Sequence, residues 1–308
     1  MSKYAFVFPG QGSQHVGMLS DLAGEAAPVF NRASEILGYD LWDLVQNGPE
    51  ERLNQTEFTQ PALLTASLAL WFQARDRGLD APAVVAGHSL GEYSALVASG
   101  VMAFEDAVDI VRQRGRFMQS AVPLGEGSMA AILGLEDEQV IQICNQHAGR
   151  EVIQAANFNA PGQVVVAGHV GALKRVVDAC KEAGARRAMQ LAVSAPFHCA
   201  LMQPAADNME SLLTDVPLNK PEIPVIQNVH ADFSTDTDTI RANLVAQISS
   251  AVLWTNTIQR IINTGIDRII ECGPGRILSG LSRRINKSIQ SGNISSLDSL
   301  KNILLEVD

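Results

Sequence analysis

Residues 87–91 read G-H-S-L-G, the G-x-S-x-G pattern in which a serine nucleophile sits on a sharp turn from a strand into a helix. The glycines are required because bulky side chains beside so tight a turn collide. The turn exposes the hydroxyl of Ser89 and leaves the N–H of Leu90 at a helix N-terminus, where free donors and the helix dipole stabilise an oxyanion. The pattern predicts a nucleophilic serine, with an ordinary strand–helix turn as the alternative.

His198 is the best-placed base for this serine among the six histidines. It lies in V-S-A-P-F-H-C-A-L-M-Q-P at 193–204, among apolar residues and at the predicted start of a helix. His88 lies inside the turn itself, and strand alternation predicts that it points away from the nucleophile. A core or capping histidine is the alternative role for His198.

Arg114 lies on the apolar face of a helix predicted over 104–122, whereas Arg112 and Arg116 lie on its polar face. Its neighbours on the apolar face are Ile110, Val111, Phe117 and Met118. An inward guanidinium needs a carboxylate as partner. The partner is either an internal acid or the free carboxylate of a substrate, and the helical pattern leaves both open.

A glycine loop, Gly10-Gln11-Gly12, follows the first strand-like run at 4–8. A G-x-G after a strand is typical of dinucleotide binding, but that fingerprint needs a third glycine where this chain has His15. The sequence therefore disfavours a dinucleotide site.

The elements that position these residues alternate as strands and helices, which predicts a parallel α/β sheet. Predicted strands are 4–8, 82–87, 224–228 and 268–271, and predicted helices are 61–78, 90–98, 104–122 and 198–214. Between them the pattern changes to β-α-β-β-α-β, the ferredoxin-like split motif, with strands at 128–133, 151–156, 163–167 and 187–193 and helices at 136–148 and 170–183. We therefore predict a main domain of residues 1–125 and 194–308 and a small subdomain of residues 126–193.

Composition narrows the class of protein. With 46% hydrophobic and 18% charged residues, the 308-residue chain is typical of globular proteins. A net charge of −10 disfavours nucleic acid as a partner, and the absence of a signal peptide and of any run near ~18 apolar residues disfavours secretion and a membrane span. The four cysteines form no C-x-x-C pair, which predicts reduced thiols in the cytoplasm and no metal site.

Seven motifs, in one order along nearly the whole chain, resemble the malonyl-CoA:acyl carrier protein transacylases of bacterial type II fatty acid synthesis, an acyltransferase family. They are F-P-G-Q-G-S-Q at 8–14, T-Q-P-A-L at 59–63, G-H-S-L-G-E-Y at 87–93, R-G-R-F-M-Q at 114–119, N-F-N-A-P-G-Q-V-V at 157–165, F-H-C-A-L-M at 197–202 and C-G-P-G at 272–275. The chain departs from the family at Ala251, where proline is usual. The resemblance implies an α/β-hydrolase-like main domain with an inserted ferredoxin-like subdomain.

The resemblance also implies a role for each residue. Ser89 is the acylated nucleophile and His198 its base, with no acid completing a triad; main-chain carbonyls and the region of Gln247 orient the histidine. Arg114 binds the substrate carboxylate. The N–H groups of Gln11 and Leu90 form the oxyanion hole.

The resemblance also implies that Gln60 and Phe197 belong to the substrate pocket, where Phe197 is expected to disfavour α-branched acyl groups. Malonyl-CoA is the implied substrate and acyl carrier protein the implied partner, with no bound cofactor. Candidate docking residues for the acidic carrier are Arg186, Arg187, Arg283, Arg284 and Lys287, which otherwise are solvated surface charges.

Three other interpretations remain. An α/β-hydrolase esterase or thioesterase shares the serine turn but has the chain order serine, acid, histidine, and the last histidine here, His230, lies in a loop-like run. A patatin-like lipase needs an Asp-Gly pair, which the chain lacks. A non-catalytic binding module leaves Ser89, His198 and Arg114 unexplained together.

Overall fold

The computed structural model describes residues 4–307, which form two separate β-sheets with helices packed against them. The strands are β1 (Tyr4–Phe8), β2 (Val84–Gly87), β3 (Gly127–Leu133), β4 (Ile153–Ala160), β5 (Gln163–His169), β6 (Arg187–Gln190), β7 (Val225–Gln227), β8 (Asp232–Ser234), β9 (Arg268–Cys272) and β10 (Gln290–Ile294). The helices are α1 (Ala23–Leu37), α2 (Leu41–Asn47), α3 (Glu50–Leu53), α4 (Thr56–Asp76), α5 (Gly91–Ala98), α6 (Phe104–Ser120), α7 (Asp137–His147), α8 (Val170–Glu182), α9 (Gln203–Leu213), α10 (Thr237–Ser249), α11 (Trp254–Ile262), α12 (Ile277–Ile285) and α13 (Leu297–Val307).

The larger sheet has the order β10-β9-β1-β2-β7-β8 and is parallel except for the edge strand β8, which pairs antiparallel with β7. Strand β1 is buried on both faces, as in parallel sheets covered by helices. Phe6 and Phe8 belong to the apolar core that includes α1, α4, α5 and α6, and Ala5 and Val7 belong to the core that includes α11 and α12. The four strands predicted for this sheet, β1, β2, β7 and β9, are confirmed as parallel, and β10 adds a fifth parallel strand.

The smaller sheet is fully antiparallel, with the order β4-β5-β3-β6 and with α7 and α8 packed on one face. This strand order and the β-α-β-β-α-β succession are those of the ferredoxin-like motif. Alternation along β3 sends Ala130 and Ile132 into the core with α7 and α8, whereas Met129 joins the main core. The predicted fold class is therefore confirmed, and the exact limits of the subdomain stay a prediction.

The helix predicted over 198–214 is wrong at its start. Helix α9 begins at Gln203, with Pro204 in its first turn, where the missing N–H of proline costs nothing. Residues 200–202 form a single 3-10 turn, and His198 has a left-handed φ of 62°. The histidine therefore lies in a loop ahead of the helix.

Sequence analysis predicted neither the helices between the first strand and α4 nor β8, β10 and α10 to α13. It also began α4 too late, at residue 61. Pro61 lies inside this helix near its amino end, although proline usually marks a helix boundary. Among residues 4–307, no helix is both long and apolar enough to cross a bilayer.

Candidate active site

Ser89 lies on the tight connection between β2, which ends at Gly87, and α5, which begins at Gly91. Its φ is 52°, in the left-handed region that non-glycine residues rarely occupy. A Cβ on Gly87 would lie 1.9 Å from the carbonyl carbon of Gly91, and a Cβ on Gly91 would lie 2.0 Å from the Phe8 oxygen. The strand, the turn and the helix can therefore meet here only with glycine at both positions.

The hydroxyl of Ser89 lies 2.7 Å from Nε2 of His198. The other ring nitrogen, Nδ1, lies 2.8 Å from the main-chain oxygen of Gln247. Because a carbonyl oxygen only accepts hydrogen bonds, Nδ1 carries the proton and Nε2 has a free lone pair. The ring is thus oriented to accept the proton of the serine hydroxyl, with a carbonyl rather than a carboxylate behind it.

His198 is almost completely buried, with 4% of its surface exposed. Burial, together with the nearby positive charge of Arg114, lowers the pKa of His198 to about 3. The imidazole is therefore neutral at physiological pH, which is the protonation state that a general base needs.

Arg114 on α6 is fully buried, and three of its N–H groups donate to oxygen atoms. Nη1 donates to Gln60 Oε1 at 2.8 Å, and Nη2 donates to Gln247 Oε1 at 2.8 Å and to Ser89 Oγ at 3.2 Å. No ion pair within residues 4–307 includes this arginine, and its Nε lacks a hydrogen-bond partner. The guanidinium also lies over the ring of Tyr93, at 5.4 Å. The described residues thus leave the cation within reach of the serine and without a contacting carboxylate. Burial lowers the pKa of Arg114, and the nearby Tyr93 and Glu92 partly oppose that shift.

The N–H groups of Gln11 and Leu90 both lie next to the serine turn. Leu90 is the N-cap residue of α5, and no acceptor for its N–H or for that of Gln11 occurs within residues 4–307. The loop that carries Gln11 approaches the turn so closely that a Cβ on Gly10 would lie 2.6 Å from the oxygen of His88. Two free donors on neighbouring segments are the arrangement that an oxyanion hole requires.

A cavity of about 450 Å³ opens above Ser89, between the two sheets. Its walls are formed by Gln11, Gly12, Gln14, Asn54, Thr56, His88, Ser89, Met118, Met129, Asn157, Leu191, Ala192, Val193, Ser194, Phe197 and His198. Phe197 thus lines the cavity beside the histidine. Gln60 is fully buried behind this lining, where its amide contacts Arg114 and donates to Gln11 Oε1 at 3.3 Å.

Sequence reasoning missed Asn228, which follows β7. Its Oδ1 accepts the N–H of Ser89 at 2.7 Å, and its Nδ2 donates to the Gly87 oxygen at 2.7 Å. The only sequence signal was an amide side chain at the carboxyl end of a predicted strand. Asn159 belongs to the motif at 157–165, and the motif indicated no role for it. Its Oδ1 lies 2.8 Å from Nε2 of His88, whose ring lies beside Trp254.

Three of the five basic docking candidates lie at one end of the small sheet. Arg187 is the first residue of β6 and Arg186 precedes it, and both are exposed. Leu133 pairs with both Arg187 and Gln163 across the small sheet. Arg284 at the end of α12 donates to the side chain of Gln163, which brings Arg284 to the same end of the small sheet.

The side chain of Arg283 instead donates to the main-chain oxygen of Ser291 in β10, at 2.9 Å. Lys287 is exposed just beyond α12. The candidates thus share one region but do not all point into one patch.

Known proteins match the chain over nearly its full length. A family model for the acyl transferase domain matches residues 5–297. The malonyl CoA-acyl carrier protein transacylase of Escherichia coli (strain K12) is 52% identical over 288 residues, which are 92% of this chain and 93% of that relative.

Solved structures agree with the sequence matches. An acyl carrier protein S-malonyltransferase from Vibrio cholerae matches with a TM-score of 0.96 and 51% identity, over 98% of this chain and 100% of that one. A type II PKS acyl-carrier protein in complex with its malonyl-transacylase gives a TM-score of 0.98 at 47% identity, over 99% of this chain and 100% of the matched one. With a serine, a neutral histidine and an unpaired arginine meeting in one cleft of the same fold, the chain belongs to the acyltransferase family of malonyl-CoA:acyl carrier protein transacylases.

Proposed function

We propose that the chain transfers the malonyl group from malonyl-CoA to the phosphopantetheine thiol of acyl carrier protein, through a malonyl ester on Ser89. One observation carries this proposal: Ser89 Oγ lies within hydrogen-bond distance of both a neutral His198 and the unpaired cation of Arg114. A base activates the hydroxyl, and a cation beside it selects an acyl group that ends in a carboxylate.

The first half-reaction acylates the serine. As Ser89 Oγ bonds to the thioester carbon, its proton moves to His198 Nε2, and the carbonyl oxygen becomes an oxyanion between the N–H groups of Gln11 and Leu90. One such donor contributes on the order of 3 kcal/mol to lowering the barrier. The C–S bond then breaks, and CoA leaves as a thiol with the proton that His198 held.

The second half-reaction uses the same groups in reverse. The carrier thiol gives its proton to His198 as its sulfur bonds to the ester carbon, and the Ser89 oxygen recovers that proton as the intermediate collapses. Two thioesters of nearly equal energy are exchanged, so the reaction is ping-pong. The proposed steps use these side chains and main-chain donors, and we propose that no bound cofactor takes part.

Arg114 selects the substrate in this proposal. The malonyl carboxylate takes the Nη2 hydrogen that now faces Ser89 and the second Nη1 hydrogen, which forms a bidentate pair in a site screened from water. Gln60 and Gln247 hold the guanidinium in place from behind. Phe197, on the cavity wall, limits the space at the α-carbon and so disfavours α-branched acyl groups.

The proposed docking surface for the acidic carrier is the basic end of the small sheet, formed by Arg186, Arg187 and Arg284. Arg283 and Lys287 extend it. Leu133, the last residue of β3, marks this end of the sheet. It lies four residues along the strand from Met129 in the cavity wall, or about 13 Å at the rise of a strand. A prosthetic arm can bridge this distance while the carrier domain stays outside. The matched complex of a malonyl-transacylase with its acyl-carrier protein supports such a partner.

The cytoplasm is the proposed compartment. All four cysteines are free and buried, and burial raises the pKa of Cys144 to about 12 and of Cys180 and Cys199 to about 11. Unpaired, unreactive thiols suit a reducing environment.

The mass of the intact protein tests the proposed function. Brief exposure to malonyl-CoA should add the mass of one malonyl group to the protein. Addition of holo acyl carrier protein should then remove that mass from the enzyme and add it to the carrier. Ser89→Ala should show no adduct; an adduct that persists in this variant places the nucleophile elsewhere. Fast release of free malonate without a thiol acceptor would indicate a thioesterase instead.

A further inference from the structure

A buried carboxylate lies directly behind the nucleophile and has no role in the steps above. Glu92, the second residue of α5, is fully buried, and no ion pair within residues 4–307 includes it. Its Oε2 accepts the N–H of Asn228 at 2.7 Å, and its Oε1 accepts Nε2 of Gln227 at 3.0 Å. Burying a charged carboxylate without a contacting cation is costly, even when it accepts hydrogen bonds. The position of Glu92 therefore requires an explanation.

The residues that Glu92 holds lead to the reacting serine. The side-chain amide of Asn228 spans the turn, accepting the Ser89 N–H and donating to the Gly87 oxygen. From the other side, Gln247 Nε2 donates to the Ser89 oxygen at 3.1 Å. A left-handed φ at a non-glycine residue costs about 1–3 kcal/mol and persists only where surrounding contacts impose it.

We propose that Glu92 is a positioning residue for acylation: its carboxylate fixes Gln227 and Asn228, and the amide of Asn228 holds Ser89 in its strained conformation with Oγ on His198. The inference rests on the proposed function, because it concerns formation of the same malonyl-serine. Glu92 itself touches neither the substrate nor the reacting atoms.

A carboxylate is needed at this position because both of its oxygens face N–H donors. Glutamine has the same shape but puts an NH2 group against one of those donors, so one hydrogen bond is lost and Asn228 or Gln227 must move. Burial raises the pKa of Glu92 to about 7, and the acid is therefore best tested at about pH 8, where it is ionised.

The matched control is Glu271 on β9, another fully buried carboxylate that accepts two main-chain N–H groups. These come from Leu278 at 3.1 Å and Ser279 at 2.8 Å, at the start of α12 and away from the serine turn. Glu92→Gln and Glu271→Gln should lower stability to similar extents. Only Glu92→Gln should slow malonyl-serine formation at saturating malonyl-CoA, by at least about tenfold and with little change in KM.

A double-mutant cycle with Asn228→Ala tests the route through Asn228. If Glu92 acts through that amide, adding Glu92→Gln to Asn228→Ala should slow acylation by less than about twofold further. Fully additive losses, or a wild-type acylation rate in Glu92→Gln, overturn the proposal. Should Glu92→Gln fail to fold, Asn228→Ala serves as the test, because the main-chain N–H of residue 228 still pairs with Glu92 in that variant. A wild-type acylation rate in Asn228→Ala would exclude the route through the Asn228 amide. Failure of the wild-type chain to form malonyl-serine would instead overturn the proposed function, and this inference with it.

Discussion

At the scale of single residues, Arg114 is the side chain whose environment carries most of the functional argument. Helical periodicity predicted that it faces inward, and the structure buries it completely. The pattern could not say whether an internal acid neutralises it. That question was decided by residues distant in sequence, Gln60 and Gln247, which offer amide oxygens instead of carboxylates. Their uncharged acceptors leave the positive charge available to a ligand.

Loss of this cation should change substrate preference. Arg114→Ala removes the partner of the malonyl carboxylate, so kcat/KM for malonyl-CoA should fall about 100-fold or more. Transfer of acetyl from acetyl-CoA, which has no carboxylate to bind, should be unchanged or faster. Arg112→Ala is the control, because Arg112 lies on the same helix and contacts the Leu37 oxygen instead. Equal losses with both acyl groups would contradict the carboxylate role.

The burial of His198 should appear in the pH dependence of stability. Its pKa is about 6.5 in the unfolded chain and about 3 in the fold, so the unfolded state binds the extra proton first. The free energy of unfolding should therefore fall as pH drops below about 6.5, by about 2 kcal/mol from this residue at pH 5. Urea unfolding measures the free energy of unfolding at pH 7 and pH 5. The decrease between the two pH values should be smaller in His198→Asn than in the wild type, because the contributions of all other titrating groups are the same in both proteins. The same loss in both would show that the histidine is not held neutral.

At the scale of elements, the junction of β1, β2 and α5 builds the site. Residues of β2 are buried, α5 packs against both strands, and the two glycines permit the close approach between them. Local sequence predicted this strand–turn–helix unit because its signals lie within about 15 residues. The loop that carries His198 was not predicted correctly, because its left-handed residue is held by contacts with α10 and with Ser89 rather than by local propensity.

A glycine-to-alanine substitution at the junction of β1, β2 and α5 should lower stability far more than the same substitution on an exposed helix surface. In Gly91→Ala the new Cβ meets the Phe8 oxygen at 2.0 Å, so we expect a loss of about 2 kcal/mol or more and no malonyl-serine. Gly280→Ala, at an exposed position of α12, meets no atom within 4 Å and should gain about 0.5–1 kcal/mol in stability. Thermal unfolding of the two variants measures both effects. A stable, active Gly91→Ala protein would show that the turn tolerates rearrangement.

At the scale of the whole molecule, the two sheets create a cavity that neither forms alone. Ser89 comes from the parallel sheet, whereas Met129, Asn157 and Leu191 on the opposite wall come from the antiparallel sheet or its edge. The chain is acidic overall, yet Arg187 and Arg284, which are far apart in sequence, lie at the same end of the small sheet: Arg187 and Gln163 flank Leu133, and Arg284 donates to Gln163. Such local charge allows an acidic partner to approach an acidic protein.

Charge reversal at the end of α12 should weaken carrier binding. The double variant Arg283→Glu/Arg284→Glu should raise the apparent KM for acyl carrier protein about tenfold and leave the KM for malonyl-CoA unchanged. The difference from wild type should shrink at high salt, because exposed charges are screened. Lys220→Glu is the control, since this exposed lysine precedes β7, which lies next to the edge strand β8 on the side of the parallel sheet opposite β10. An unchanged carrier KM in the double variant would remove these arginines from the docking surface.

The sequence by itself determined the α/β class, the inserted ferredoxin-like unit and the serine turn, because each depends on periodicity or on glycines close together in the chain. Only the tertiary structure decided what surrounds the reacting groups: the carbonyl behind His198, the amides around Arg114 and the link from Glu92 through Asn228 to Ser89. These partners lie up to 158 residues apart, as for Ser89 and Gln247. Hydrogen bonds at such separations follow from how packed elements meet in space, and no local pattern encodes them.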